Sequence, residues 1–450
     1  MSKKHFLRGT LILTCAGIIS RLIGFFYRVF LSHSIGAQGV GIYQLIVPLQ
    51  TLVLALTTSG VQTVISRLTA SRTALGKEKE ARDCLSVGTF AALSLSLILS
   101  VIIWRHAEFF AEQILKEPRT LSLIRLLSFS FPLSAIHNCI NSYFFARKKT
   151  GIPSSIQLLE QAARVAVTYL LYLVILSEGR PVTPVIAVGG ALSGEIVSVL
   201  VSLLVIGVDF RKNTYSPFKI PHPLKELHSI ILLSFPLTLN RLLLTLLSSI
   251  EVVLIPQRLR AFGLDAGEAL SVYGVFTGMA LPVILFPATV TNSASVMLMP
   301  SIAELQALGY QKRIRYVTVR TCGSCILLGG LCALGFFFFG EPAGTLLFKS
   351  PTAGTYIRTM AFICPFLYMN TALSSILHGL GQAGVCLFNN ALSVSIRIAF
   401  VLFCIPQIGI RGYLYGILAS ELVRTLLHLF SLFRLEKPAG KTTVQDSRDS

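Results

Sequence analysis

The chain has 450 residues, 53% of them hydrophobic and only 13% charged, with a mean hydropathy of +0.72. A soluble domain carries about 25% charge, so a soluble globular class is excluded. The formal net charge of +19 comes without a folded polar domain that could present a basic face, which excludes nucleic-acid binding.

Apolar runs of roughly 20 residues, the length a helix needs to cross a ~30 Å hydrocarbon core, begin near the start and recur to the end. They predict twelve spans, at 7–30, 41–70, 85–104, 121–145, 153–176, 184–207, 229–255, 270–302, 319–340, 355–380, 386–406 and 412–433. A β-barrel would instead show ~10-residue alternating segments. The fold class is therefore an all-α integral membrane protein. The first run is too long for a signal-peptide core and holds Arg21 and Arg28, so it reads as a span and not a cleaved leader. Pro48 in the second span and Pro282 and Pro287 in the eighth remove backbone hydrogen bonds inside helices. In a membrane such breaks are tolerated where the freed groups face protein or a watery cavity. They read either as ordinary kinks or as points where helices bend during transport.

The second half of the chain repeats the first. Arg21 recurs as Arg241, Tyr43 as Tyr273, Pro132 as Pro365, Gly151 as Gly384, Arg164 as Arg397 and Glu195 as Glu421. These matches are collinear, and their offsets change only in loops. Each half holds six spans, an even number, so the halves run parallel around an axis along the membrane normal, with a central cavity between them. The expected organisation is an N-terminal six-helix lobe at 1–207 and a polar, proline-rich cytoplasmic linker at 208–228. A C-terminal six-helix lobe at 229–434 and a disordered cytoplasmic tail at 435–450 follow. Loops on the side of the N-terminus hold twenty-two basic residues against eight on the other side. That bias places both termini in the cytoplasm.

Ionisable residues inside spans carry the functional signal, because one at mid-helix costs about 2.5–3.5 kcal/mol to insert. Arg21 and Arg28 lie seven apart, two helical turns, with Gly24 on the same face and no acid in the span. Arg241 enters from the matching helix of the second half beside Asn240. Arg21 and Arg241 are expected to converge on one cavity, where guanidinium forks suit phosphate oxygens. The alternatives are snorkelling to an interface, and for Arg241 an ion pair with Glu251. Arg164–Glu195 and Arg397–Glu421 are expected as cross-helix pairs within each lobe, and Glu160 as an i,i+4 partner of Arg164. These acids read either as structural partners or as the seat of a coupling proton or Na⁺. His137 and His378 have no second ligand at helical spacing, and Cys322 and Cys325 form a lone CxxC among nine cysteines, so no metal or other cofactor is expected.

The opening run, Ser20-Arg21-Leu-Ile-Gly24-Phe25-Phe-Tyr-Arg28 with Ile35-Gly36-Ala37-Gln38-Gly39-Val-Gly41-Ile-Tyr43-Gln44, resembles one exporter group. It is the stage V sporulation protein B and polysaccharide-export branch of the multidrug/oligosaccharidyl-lipid/polysaccharide exporter superfamily. The lipid II flippases of peptidoglycan synthesis are similar in placing arginines on their first helix. Many relatives carry fourteen spans where twelve are read here, so the lipid-tail groove that the extra helices form in those flippases is not expected. The resemblance implies a monomeric flippase of the bacterial cytoplasmic membrane. It implies that Arg21 and Arg28 face a cavity that takes a polyprenyl-diphosphate-linked saccharide from the surrounding lipid by alternating access. The alternative within the superfamily is a cation-coupled multidrug antiporter, which Glu160 and Glu195 keep open. A non-transporting scaffold and a membrane enzyme are the remaining classes, and no acidic pair in a polar loop supports the enzyme.

Overall fold

The computed structural model describes residues 3–217 and 220–436, and among these there is no strand. The expected tail lies outside the described residues from 437 onward. The apolar runs all form helices. These are α1 (residues 3–35), α2 (residues 37–74), α3 (Glu78–Arg105), α4 (Pro118–Ser128 and Ser130–Ala146, bent by 43°), α5 (Gly151–Ser177) and α6 (Val185–Lys212). In the second half come α7 (Pro223–Ala261), α8 (Ala266–Leu285 and Ala288–Ala307), α9 (Gln311–Phe348), α10 (Pro351–Gly379), α11 (Ala383–Phe403) and α12 (Ile410–Glu436). Helix occupies both ends of the expected linker, which leaves 213–222 between α6 and α7.

The first two helices would be one rod but for a kink at Gly36, where φ is 68° and ψ is 176°. That region of backbone space is essentially reserved for glycine. Gly36→Ala is expected to cost about 1–3 kcal/mol, read as a lower unfolding temperature in detergent. An unchanged temperature would mean that the kink relaxes without strain.

Each half packs in the same way. In the first, α5 lies between α1 and α6, and α4 packs on α2, α3 and α6. In the second, α11 lies between α7 and α12, and α10 packs on α8, α9 and α12. Two parallel six-helix repeats thus surround a central space. Large apolar side chains such as Phe26, Phe90, Phe235 and Leu327 remain exposed on the outside, the surface that lipid covers. Helices α2 and α8 meet where they begin: Gly41 faces the backbone of Leu270 and Gly274, and Gly274 faces Ala37 and Gly41. At the same end His33 Nε2 lies 2.8 Å from the Leu347 carbonyl. The lobes are therefore closed at the face where α1 finishes. Helix α7 is tied to the first lobe at both ends, by Arg72–Glu226 at 2.6 Å and by Arg260–Glu117 at 3.2 Å.

Pro48 and Pro282 lie in regular α-helix, with irregular turns nearby, and Pro287 stands at a break. Wide π-helical turns occupy Ala55–Ser59 in α2 and Val275–Ala280 in α8. The Pro48 carbonyl accepts from Thr51 Oγ1 at 3.0 Å and from Ser249 Oγ of α7 at 3.5 Å. α8 breaks at Phe286 and Pro287.

Candidate functional site

A cavity of about 570 Å³ lies between α1, α2, α5 and α8. From α1 it takes Ser20, Arg21, Gly24, Tyr27 and Arg28, residues three to four apart on one helix face. Gly24 between the two arginines leaves the wall open there, with nothing near the place a side chain would occupy. Helix α2 adds Gln44 and Gln50, and α5 adds Gln157, Gln161 and Arg164 at i, i+4 and i+7. The second lobe contributes Gly278, Pro282, Leu285, Phe286 and Asn292 of α8. Phe25 and Phe286 touch across the lobes, with ring centroids 5.6 Å apart. A smaller adjoining space of about 290 Å³ shares Arg28, Gln44 and Pro282 and reaches Ser248, Ser249 and Val252 of α7.

Three guanidinium groups line the larger cavity and no carboxylate does. Among the described residues neither Arg21 nor Arg28 has an acidic partner, whereas Arg164 Nη2 holds Glu160 Oε1 at 2.7 Å. The expected convergence of Arg241 with Arg21 is not seen. Arg241 and Asn240 are exposed and line neither space. Arg241 shares a face of α7 with Ser248, seven residues on, so it sits about 10 Å nearer the start of that helix. Asn240 is turned about 100° from it.

A model of the polysaccharide biosynthesis protein family matches residues 6–306, more than half of the chain. The chain belongs to this family. It is 28% identical to stage V sporulation protein B of Bacillus subtilis (strain 168), over 95% of this chain and 83% of that protein. It is 23% identical to the lipid II flippase MurJ of the same organism, over 98% and 84% of the two chains. Its fold matches an inward-facing multidrug resistance MATE family transporter of the MOP superfamily, with a TM-score of 0.71 and 15% identity over 96% and 99% of the two chains. The protein is a multi-pass bacterial membrane transporter of this superfamily; the relative MurJ is named a flippase, and the matching solved structures are a transporter and a flippase.

Within this transporter the buried charges pair differently from the sequence expectation, and differently in each lobe. The Arg164–Glu195 pair does not form. Gly190 and Gly194 of α6 pack directly on α5, where a methyl group at 190 would lie 2.8 Å from the Arg164 carbonyl oxygen and one at 194 would lie 2.9 Å from that of Glu160. Glu195, one residue further round the helix, points to α4 and meets His137 Nε2 at 2.9 Å. In the second lobe Arg397 does reach Glu421, at 3.4 Å, but its closer partner is Glu251 of α7, at 2.8 Å. Tyr413 also donates to Glu251, at 2.8 Å, so Glu251 is taken and does not serve Arg241. Glu421 is held further by Arg424 and by Asn370 Nδ2 at 2.8 Å.

The offsets of the repeat explain the asymmetry. The first-lobe counterpart of Glu251 is Leu31. With no acid on α1, Arg164 is left to its own-helix partner Glu160 and to the cavity, while Arg397 is neutralised inside its lobe. The sequence pattern marks Arg164 only as an ion-pair partner and does not single out the glutamines. The spacing of Gln157, Gln161 and Arg164 along one face of α5 was the available signal. His137 looked solitary because its partner is 58 residues away, but its repeat counterpart, Asn370, meets the matching glutamate in the second lobe.

Proposed function

We propose that this transporter flips a polyprenyl-diphosphate-linked saccharide across the cytoplasmic membrane. The reading is carried by one observation: a central cavity lined by Arg21, Arg28 and Arg164 and by no acid. Guanidinium forks suit phosphate oxygens bidentately, and the amides of Gln44, Gln50, Gln157 and Gln161 offer donors and acceptors for sugar hydroxyls. The name of the Bacillus relative MurJ, a lipid II flippase, supports the same substrate class. The basic loops support cytoplasmic termini. In that orientation the lobes are closed outside, the state that waits for a substrate from the inner leaflet. Arg241, nearer the inner end of α7, meets the incoming diphosphate before Arg28 does. The lobes then rock, and the headgroup leaves on the other side while its tail stays in lipid. An inside-negative potential favours outward movement of an anion by about 2.3 kcal/mol per charge at 100 mV.

The antiporter reading needs a free acid to seat a cation. Glu160, Glu251 and Glu421 each hold an arginine, and neither they nor Glu195, which faces His137 at 2.9 Å, line the cavity.

The test is movement of a fluorescent polyprenyl-diphosphate oligosaccharide in proteoliposomes. Losing two charge-assisted contacts of roughly 1.5–3 kcal/mol each, Arg21→Ala/Arg28→Ala should slow it at least about a hundredfold. Arg241→Ala should slow it less. A double variant that transports at the wild-type rate removes the arginine site, and drug-for-proton exchange without lipid movement installs the antiporter.

A further inference from the structure

A second polar centre lies inside the first lobe, behind the cavity wall. His137 and Glu195 face each other at 2.9 Å with side chains only 7% and 9% exposed. His137 Nδ1 and Glu195 Oε2 are buried with no hydrogen-bond partner among the described residues, and Asn138 Nδ2 lies 3.5 Å from His137 Nε2. A lone carboxylate in an apolar interior is strongly disfavoured. The pair is electrically neutral only with one proton beyond a carboxylate and a neutral imidazole, whichever residue carries it.

The repeat shows what is unusual here. The second lobe has the same contact, Asn370 on Glu421, but there two fixed cations, Arg397 and Arg424, neutralise the acid. In the first lobe Arg424 is replaced by Ser198, the counterpart of Arg397 turns to Glu160, and the amide is replaced by a histidine. Two guanidinium partners of the acid have been exchanged for one imidazole.

The pair also reaches the cavity. Ser198, one turn beyond Glu195, donates to Glu160 Oε2 at 3.2 Å, and Glu160 Oε1 holds Arg164 at 2.7 Å. Gly194 presses on Glu160 from the same helix. The charged and titratable groups around the pair are thus Glu160 and Arg164 on α5, His137 on α4 and Glu195 on α6. With the extra proton these four groups sum to zero, and without it to one negative charge behind the arginines.

We propose that His137 and Glu195 form a proton-binding site in the first lobe, and that its occupancy tightens anion binding at Arg164, Arg28 and Arg21. This rests on the anion reading of the cavity. By linkage, anion binding must in turn promote proton uptake. One charge about 10 Å from a singly charged group, at an effective dielectric near 20, changes affinity on the order of tenfold.

The experiment is calorimetric binding of UDP-glucose, a soluble diphosphate diester whose two phosphates keep a fixed charge, to the full protein in detergent between about pH 5.5 and 8.5. Wild-type affinity should fall about tenfold as pH rises, with proton uptake visible as a buffer-dependent binding enthalpy. Glu195→Gln and His137→Gln should flatten the dependence, and Glu195→Asp should restore it. Thermal unfolding of each variant separates this from misfolding. Folded glutamine variants that keep the wild-type slope overturn the proposal. If wild-type protein binds no UDP-glucose at any pH, the anion reading fails, and with it the linkage to the cavity. The proton site itself is then judged by histidine NMR: a titrating signal lost in His137→Gln and shifted in Glu195→Gln upholds it, and no such signal overturns it.

Discussion

Glu251→Ala is expected to destabilise the protein by about 3–5 kcal/mol, the cost of leaving a buried charge without its partner. Glu251 is 3% exposed and accepts from both Arg397 and the Tyr413 hydroxyl, each at 2.8 Å. Its loss leaves Arg397 with Glu421 alone, at 3.4 Å, an acid already shared with Arg424 and Asn370. It also leaves the Tyr413 hydroxyl without an acceptor in a fully packed position. The first lobe supplies the control, because it carries Leu31 at the matching place and has no such pair. Glu251→Leu/Arg397→Leu should therefore recover most of the lost stability, since Glu421 keeps Arg424 and Asn370. The measurement is the folded fraction by size-exclusion chromatography after graded heating in detergent. A double variant as unstable as Glu251→Ala would mean that the acid matters through packing and not as the partner of Arg397.

The architecture was legible because membrane insertion is a severe filter. Twelve apolar runs became twelve helices, and the repeat of Arg21, Tyr43 and Glu195 as Arg241, Tyr273 and Glu421 anticipated the matched packing of the two halves. Arg21 and Arg28 were legible as cavity residues because no acid lies near them along the helix. What the repeat could not give was the partner of each buried charge. The repeat implies matching work at matching positions, and so pairs Arg164 with Glu195 as Arg397 pairs with Glu421. A single exchange, Leu31 for the counterpart of Glu251, changes the electrostatics of a whole lobe, and that exchange sits on another helix 133 residues from Arg164. Helix rotation decides the rest. Glycines at 190 and 194 set which face of α6 meets α5, and that contact turns Glu195 toward α4. Arg241 matches Arg21 in the repeat, yet how far along α7 the cavity extends depends on how the lobes are tilted, which no local pattern encodes.

That tilt rests on a backbone contact, and Gly274→Val should remove it. At the face where α1 finishes, α2 and α8 approach so closely that a methyl group on Gly274 would lie 2.6 Å from the Gly41 nitrogen and closer still to the Ala37 carbonyl. These are backbone atoms of a helix in the other lobe, so no rotamer change relieves the clash. Only separation of the two helix ends does. In the proposed alternating-access cycle this end closes while the other opens, so the valine variant should fold, hold its lobes apart here, and lose transport by a hundredfold or more. Spin labels at His33→Cys and Leu347→Cys report the gap directly, because the His33 ring touches the Leu347 carbonyl in the closed state. Among the native cysteines Cys15 is exposed, so a Cys15→Ser background limits stray labelling. The label distance should be short in the parent and lengthen in Gly274→Val. An unchanged distance with transport intact would show that α2 and α8 tolerate the side chain by local bending, and that the glycine contact does not set the closed state. An unchanged distance with transport lost would place the defect at the neighbouring cavity wall, where Gly278 lies one turn away, and not at the closure.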